Sequence, residues 1–244
     1  VVALIGSSGS GKSTFLKKRF KANAAKGNFI RTFDITGEFE KLTREFGGKI
    51  IKCNGEDGML NPLEILKAGE DDFTSYSKHI SKVATFFRCI LPQTDDQIVT
   101  NLEILLRDFY ELYKLVPAEG RSITGQPAKN YPTFSNFLSF LDDQIENEKT
   151  KEFTSSVDAG LSQHKALIVS QIRDAVSTIV GNYGSMFDGH TSVDNLVDEK
   201  IVTFDISDIK DLGNVFVAQM FNMVSLCWDN AVNNGSIMKS MWEN

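Results

Sequence analysis

The feature that most constrains this chain lies at its very start. An unbroken apolar run, Val1 to Ile5, leads straight into Gly6-Ser7-Ser8-Gly9-Ser10-Gly11-Lys12-Ser13. The run has the length and texture of a strand buried on both faces of a parallel sheet. The eight residues after it fit G-x-x-x-x-G-K-S/T at every fixed position, and a helical stretch from about Lys12 to Ala25 follows. Each residue type has a chemical reason. Glycines let the loop wrap with successive N–H groups pointing inward, an anion cradle at a helix N-terminus. Lys12 brings a mobile positive charge to the outer phosphates, and the Ser13 hydroxyl is suited to ligate magnesium. The expected ligand is a nucleoside triphosphate, ATP with Mg2+. Its binders are Gly6, Ser7, Ser8, Gly9, Ser10, Gly11, Lys12, Ser13 and Thr14, with Ser13 as the metal ligand and Lys12 counted as catalytic. A chance match in a chain of this length has odds on the order of 1%.

The texture downstream agrees with an α/β sheet. Asn28–Ile35 reads as a second strand, Gly37–Phe46 as a helix closed by Gly47-Gly48, and Lys49–Cys53 as a third strand. From about Lys67 the periodicity changes. Phe73, Tyr76, Ile80, Val83, Phe87 and Ile90 mark one helix face. Ile98, Leu102, Leu105, Phe109, Leu112 and Val116 mark a second, behind capping candidates Thr94, Asp95 and Asp96. Phe134, Phe137, Leu141 and Ile145 mark a third behind Thr133. A helix over Ala166–Val180, a strand over Lys200–Ile206 and a helix striped by Phe216, Met220, Met223 and Cys227 complete the pass. The expectation is an α/β, doubly wound, mostly parallel sheet that carries the P-loop, with an inserted all-α subdomain. Residues 1–66 form the first part of the core, 67–164 the insert and 165–244 the second part. Apart from an echo of TFDI at Thr32 and Thr203 there are no internal repeats.

Charge and composition narrow the function. The net charge of −6 disfavours a non-specific nucleic-acid binder. Cys53, Cys89 and Cys227 are odd in number and in no metal-ligand spacing, so buried thiols in a reducing compartment are expected. His79, His164 and His190 lack metal spacing too and are assigned structural or solvent roles; Trp228 and Trp242 are assigned to packing. No apolar stretch approaches the roughly 20 residues that span a bilayer, and the expected location is the cytoplasm. The chain starts without Met, directly in a strand, and ends without a helix stop, so both ends are expected to be cut from a longer protein.

Two strand ends carry carboxylates. Asp34 ends the second strand and Glu38 follows four residues on, within FDITGEFEKL. Carboxylates at strand C-terminal ends face the ligand crevice in such sheets, so both have a route to the nucleotide or its attacking water. The structural alternative has Asp34 capping the next helix and Glu38 exposed in its first turn. Asp205, at the end of KIVTFD, is a candidate for the magnesium-side aspartate, although Ile206 stands where many ATPases carry a glutamate.

The loop alone would suit an ABC transporter cassette, but no LSGGQ signature is present; the nearest string, Gly160 to His164, lacks the glycine pair. The succession GSSGSGKS, FDITGEFEKL, GGKIIKCN and LNPLEIL, with the later GNYGSMFDGHTSV and KIVTFDIS, resembles the large cytoplasmic ATPase of type IV secretion and conjugation systems. This is the TraC/TraE-like branch of the HerA–FtsK superfamily. The resemblance implies a RecA-like motor core with an all-α insert, a homo-oligomer working as a hexamer or as dimers assembling into one, peripheral at the inner membrane through secretion-channel partners. It places a glutamate near the nucleotide at Glu38, which is thereby counted as catalytic, and it places the Walker B strand beyond Asn244, so that Asp205 is not its aspartate. It also implies a chain that binds ATP but turns it over slowly by itself. The alternatives are a DNA-pumping translocase of the same superfamily and an assembly subunit gated by nucleotide with little turnover.

Overall fold

Among the described residues three short β-branched and aromatic runs form a sheet, and their burial follows their sequence. In the computed structural model, strand β1 is Ile30–Asp34, β2 is Lys49–Lys52 and β3 is Ile201–Asp205. All pairs are parallel, in the order β1-β3-β2. The apolar run IVTFD of β3 takes the centre and is buried along four of its five residues, while β1 and β2 are mostly half-buried. The repeated TFD is a register: Thr32 faces Thr203, Phe33 faces Phe204 and Asp34 faces Asp205. The two phenylalanines stack with centroids 5.1 Å apart, a cross-strand pair of the kind that favours one register over its neighbours. The structure describes residue 7 and residues 9–152, 156–193, 196 and 199–243, with side chains of residues 232–243 left aside. The expected first strand, Val1–Ile5, lies outside the described residues.

Two helices flank this sheet in sequence. Helix α1, Lys12–Ala25, ends where Gly27 takes φ +72°, and α2, Glu40–Glu45, ends where Gly47 takes φ +67°. Both endings have the same hydrogen bonds: Gly27 and Asn28 donate to Ala24 and Asn23, and Gly47 and Gly48 donate to Arg44 and Thr43. This is the Schellman closure, which satisfies the last carbonyls and needs a left-handed residue that glycine supplies without strain. Helix α2 is shorter than the expected Gly37–Phe46, because residues 35–39 are used for a turn. Phe20 of α1, Leu42 of α2 and Ile201 of β3 form the shared core, with Phe39 packed beside them. Thr203, buried in the central strand, meets Thr43 at 2.7 Å. Thr43 already donates to the Phe39 carbonyl, so the proton between the two hydroxyls comes from Thr203.

The chain groups into two compact units, Val1–Gly58 with Val193–Asp211, and Met59–Ser192 with Leu212–Asn244. The second unit is helical. It holds α3 (Asp72–Ile90), α4 (Asp96–Leu112), α5 (Phe134–Thr150), α6 (Ser156–Phe187) and α7 (Asn214–Glu243). The starts of α4 and α5 are legible in sequence, and α3 begins by the same chemistry. The Asp71 and Asp95 carboxylates accept N–H groups of Thr74 and Ile98, and Thr133 with Asn136 closes a capping box. These unit boundaries differ from the sequence expectation of 66/67 and 164/165. The physical reason is packing: α6 runs along α5 and α7 along α3, so both helices join the helical unit. Helix α6 is also twice as long as expected, with one non-helical residue, Tyr183, inside it.

The apolar stripes account for much of the helical core but not for its breadth. Tyr76, Val83, Phe87, Leu102, Leu105, Phe109, Phe134, Phe137 and Leu141 are buried as expected. Phe73 and Leu112 are not, at 71% and 67% exposed, because each stands at a helix end that its neighbours do not cover. Phe86, Leu106, Tyr110 and Phe140 are buried off the stripes. Helix α3 packs against both α4 and α7, so Phe86 and Phe87, adjacent in sequence, are both enclosed. Trp228, assigned to packing, is instead 69% exposed on α7, and the Trp242 side chain lies outside the described residues. Cys53 is buried, whereas Cys89 and Cys227 are half-buried, and none of the three forms a disulfide among the described residues.

One carboxylate in this unit yields a pH prediction. Glu148, near the end of α5, is buried and meets Lys151 Nζ at 2.6 Å, Ser162 Oγ at 2.6 Å and Lys165 Nζ at 3.3 Å. The hydrogen bond from Lys151, then that from Ser162, holds its pKa down to about 2 against a usual 4.5. A folded value below the unfolded one contributes stability that is complete above the unfolded value and is lost as pH falls toward the folded one. Wild type should therefore melt above Glu148→Gln at neutral pH. The gap should close between about pH 5 and about pH 2 in thermal unfolding scans. A gap that stays constant over that range would show that the carboxylate's charge contributes nothing.

Candidate functional site

The phosphate-loop sequence adopts the backbone that its glycines permit. Gly9 and Gly11 have φ of +78° and +85°, the left-handed region where a side chain would be strained. Among the described residues, an added Cβ at either would meet nothing within 4 Å. These glycines are therefore demanded by conformation, and no described residue fills the space beside them. Ser10 N–H turns back to the Ser7 carbonyl at 3.3 Å, closing the loop on itself. Gly11 is the N-cap of α1 and offers no side-chain acceptor, so the first N–H groups of a fourteen-residue helix face outward at the loop. Such an end favours an anion by its orphan donors and its dipole. Lys12 Nζ donates to the Ser7 carbonyl at 2.6 Å and reaches Ser10 Oγ at 3.5 Å, which keeps the ammonium over the loop. Ser13 and Thr14 are exposed in the first turn of α1. Gly6 and Ser8 lie outside the described residues.

The FDITGE segment is explained by one buried aspartate. Asp34, 4% exposed, accepts N–H groups from Thr36 and Glu38 at 3.2 Å and from Phe39 at 2.7 Å. Three donors on one carboxylate fold residues 35–39 into a tight turn, with Gly37 at φ +74°. The donors belong to the turn before α2 and not to the helix itself, so Asp34 shapes that turn and does not cap the helix as weighed from the sequence. The same turn directs Glu38 toward α1, where its Oε2 lies 3.0 Å from Lys17 Nζ. The Lys17 hydrogen bond and charge hold the Glu38 carboxyl below its usual value, and the Ser13 and Thr36 hydroxyls add to the effect. Glu38 is thus brought to the helix turn that carries Ser13.

Lys17 is the residue that sequence reasoning passed over. It stands four positions after Ser13 on a helix that begins at the loop, so both share a face. That spacing is visible in KSTFLKK, but its meaning depends on Glu38 arriving there from 21 residues away.

Asp205 is used differently. Its carboxylate accepts the Ser207 N–H at 3.0 Å and the Ser207 hydroxyl at 2.6 Å, fastening the turn after β3. It also borders an open cleft of about 620 Å³ with Arg44, Lys49, Lys52 and Asp57. Among the described residues no group of three or more His, Cys, Asp or Glu side chains is placed to hold a metal ion. His79 is structural: its Nε2 lies 2.7 Å from the Tyr110 hydroxyl, which donates to the Leu63 carbonyl. Since the Tyr110 proton is committed, Nε2 is the donor, and burial lowers the imidazole to about 3. The LNPLEIL and FDGHTS segments are held together likewise. Thr191 and Ser192 hydroxyls accept N–H groups of Asn61 and Met59, and Asp188 accepts from the Ser135 N–H at the start of α5.

The fold is mixed α/β, with a small parallel sheet and a large helical unit. It is similar to that of VirB4 of Thermoanaerobacter pseudethanolicus, with a TM-score of 0.75 and 22% identity, over 92% of this chain and 55% of that one. In sequence the chain is 32% identical to an uncharacterized protein of Bacillus anthracis, over 258 aligned positions and 98% of this chain. It spans 38% of that relative's length. No protein-family model matches the chain. Among the described residues no helix is long and apolar enough to cross a membrane.

Proposed function

We propose that this chain is the ATP-binding motor domain of a type IV secretion or conjugation ATPase, coupling ATP hydrolysis to pilus assembly or substrate transfer. The observation that carries the reading is the loop itself. Gly9 and Gly11 are left-handed with space beside them that no described residue fills, at an α1 N-terminus whose N-cap, Gly11, has no side chain to offer, under the Lys12 ammonium. That combination fits a chain of phosphates better than an ordinary turn, which has no need of an uncapped helix end. The likeness in fold to VirB4 supports the choice of motor class.

In this proposal Ser7 to Thr14, with Gly6 and Ser8, hold the triphosphate of ATP, Lys12 neutralises its outer phosphates and Ser13 ligates Mg2+. The bound ATP and Mg2+ supply the transferable phosphoryl group and the charge that draws in its oxygens. Glu38 accepts a hydrogen bond from the attacking water and so orients it. The helices within residues 67–164 form an insert in a RecA-like core, and the protein works as a homo-oligomer, a hexamer or dimers assembling into one. It acts in the cytoplasm, docked at the inner membrane by other secretion-channel proteins.

Phosphate release by the full-length protein tests the reading. The expected result is magnesium-dependent turnover of about 1–100 per second that DNA does not change, against a median near 10 for enzymes in general. Turnover that rises steeply with DNA would replace it with a DNA-pumping translocase. ATP binding without turnover would replace it with an assembly subunit gated by nucleotide.

A further inference from the structure

Asp34 fixes the backbone that carries Glu38, but a carboxylate on two rotatable methylenes still has to be aimed. Lys17 is the residue in position to aim it. Its ammonium lies 3.0 Å from Glu38 Oε2 and 6.0 Å from the centroid of the Phe39 ring. Phe39 is itself held twice, by its N–H to Asp34 at 2.7 Å and by its ring against Phe20 at 6.0 Å. The lysine therefore bridges a fixed aromatic face and the carboxylate beside it, from the helix face that also bears Ser13. Both partners are more than a third exposed, so the pair contributes little to stability and is screened by salt. A contact that adds little to folding yet aims one carboxylate at the loop has its use in the site.

We propose that Lys17 is a positioning residue of the nucleotide site, holding the ionised Glu38 carboxylate against the first turn of α1, beside the Ser13 hydroxyl. The proposal rests on the phosphate-site reading above. Without the ammonium the carboxylate is free to rotate into solvent and regains ordinary acidity. Lys18, the next residue on α1, projects from another part of the helix and cannot substitute. Arginine at position 17 keeps the charge and the reach.

Three measurements test this on Lys17→Met, Lys17→Arg and Lys18→Met. NMR titration of side-chain carboxyls in the nucleotide-free chain should place Glu38 below the ordinary glutamate value in wild type, Lys17→Arg and Lys18→Met. In Lys17→Met it should move up, and the difference should shrink with added salt. Calorimetry should find Mg·ATP affinity within about threefold of wild type in all variants. Phosphate release by the full-length protein should fall by about ten- to a hundredfold in Lys17→Met, and recover in Lys17→Arg. Binding of Mg·ATP together with a Glu38 titration that Lys17→Met leaves unchanged would overturn the positioning role alone. Loss of Mg·ATP binding in both position-17 variants would overturn it too, by making Lys17 a nucleotide ligand. A wild-type chain that binds no Mg·ATP would instead overturn the phosphate-site reading, while the titration would still report on the pair.

Discussion

Replacing Lys12 with alanine should weaken Mg·ATP binding by more than about tenfold and leave the fold intact, a loss of roughly 1.5–3 kcal/mol. The size follows from the kind of interaction. A charge-assisted hydrogen bond to phosphate is about twice as strong as a neutral one, and alanine offers nothing in its place. The fold should survive because the Lys12 side chain belongs to the loop and not to the core. Its ammonium reaches the Ser7 carbonyl and the Ser10 hydroxyl, both on the loop, and the core of this unit is Phe20, Leu42 and Ile201. When phosphate arrives, the ammonium exchanges a carbonyl for an anion without leaving the loop. Calorimetric titration, with circular dichroism as the control for folding, decides the matter. Unchanged affinity in a folded variant would remove Lys12 from the site, and the phosphate-loop reading with it.

Phe109→Ala should destabilise the helical unit by roughly 3–5 kcal/mol, a large share of the about 5–15 kcal/mol that holds a domain together. Phe109 is 1% exposed, and its ring meets Phe137 at 4.9 Å, Tyr113 at 5.2 Å, Phe140 at 5.4 Å and Tyr110 at 5.8 Å. Those rings come from both α4 and α5, so the cavity left by alanine has walls on two helices and closes only if both move. Phe73→Ala is the matched control. It deletes the same side chain from a position that the sequence stripe also marked but that is 71% exposed, and it should cost within about 0.5 kcal/mol. Urea unfolding of both variants gives the comparison. A loss below about 1 kcal/mol for Phe109→Ala would mean that the aromatic cluster is not the centre of this unit.

The contrast between Phe73 and Phe109 marks a general limit of reading helices from periodicity. A stripe says which side of a helix faces inward, and both residues lie on their stripes. It does not say how far along the helix the neighbour extends, and Phe73 sits in the first turn of α3, beyond cover. Periodicity also assumes one buried face. Helix α3 has neighbours on two sides, α4 and α7, which is why Phe86 is buried beside Phe87.

What the sequence determined by itself is local. Left-handed positions that need glycine, acceptors that cap helices, apolar runs that suit strands and the G-x-x-x-x-G-K-S spacing all act over a few residues. Accordingly the limits of α1, the caps of α4 and α5 and the loop chemistry were legible without coordinates. What only the tertiary structure decided depends on residues far apart. The in-register pairing of TFD with TFD across β1 and β3 is one case, since two strands separated by some 170 residues choose each other by burial and not by spacing. The grouping of α6 and α7 with the helical unit is another. The last is the site: Asp34 belongs to the turn, Asp205 to Ser207, and Glu38 to Lys17. A carboxylate's role is set by which donors reach it in space, and no pattern in one strand records that.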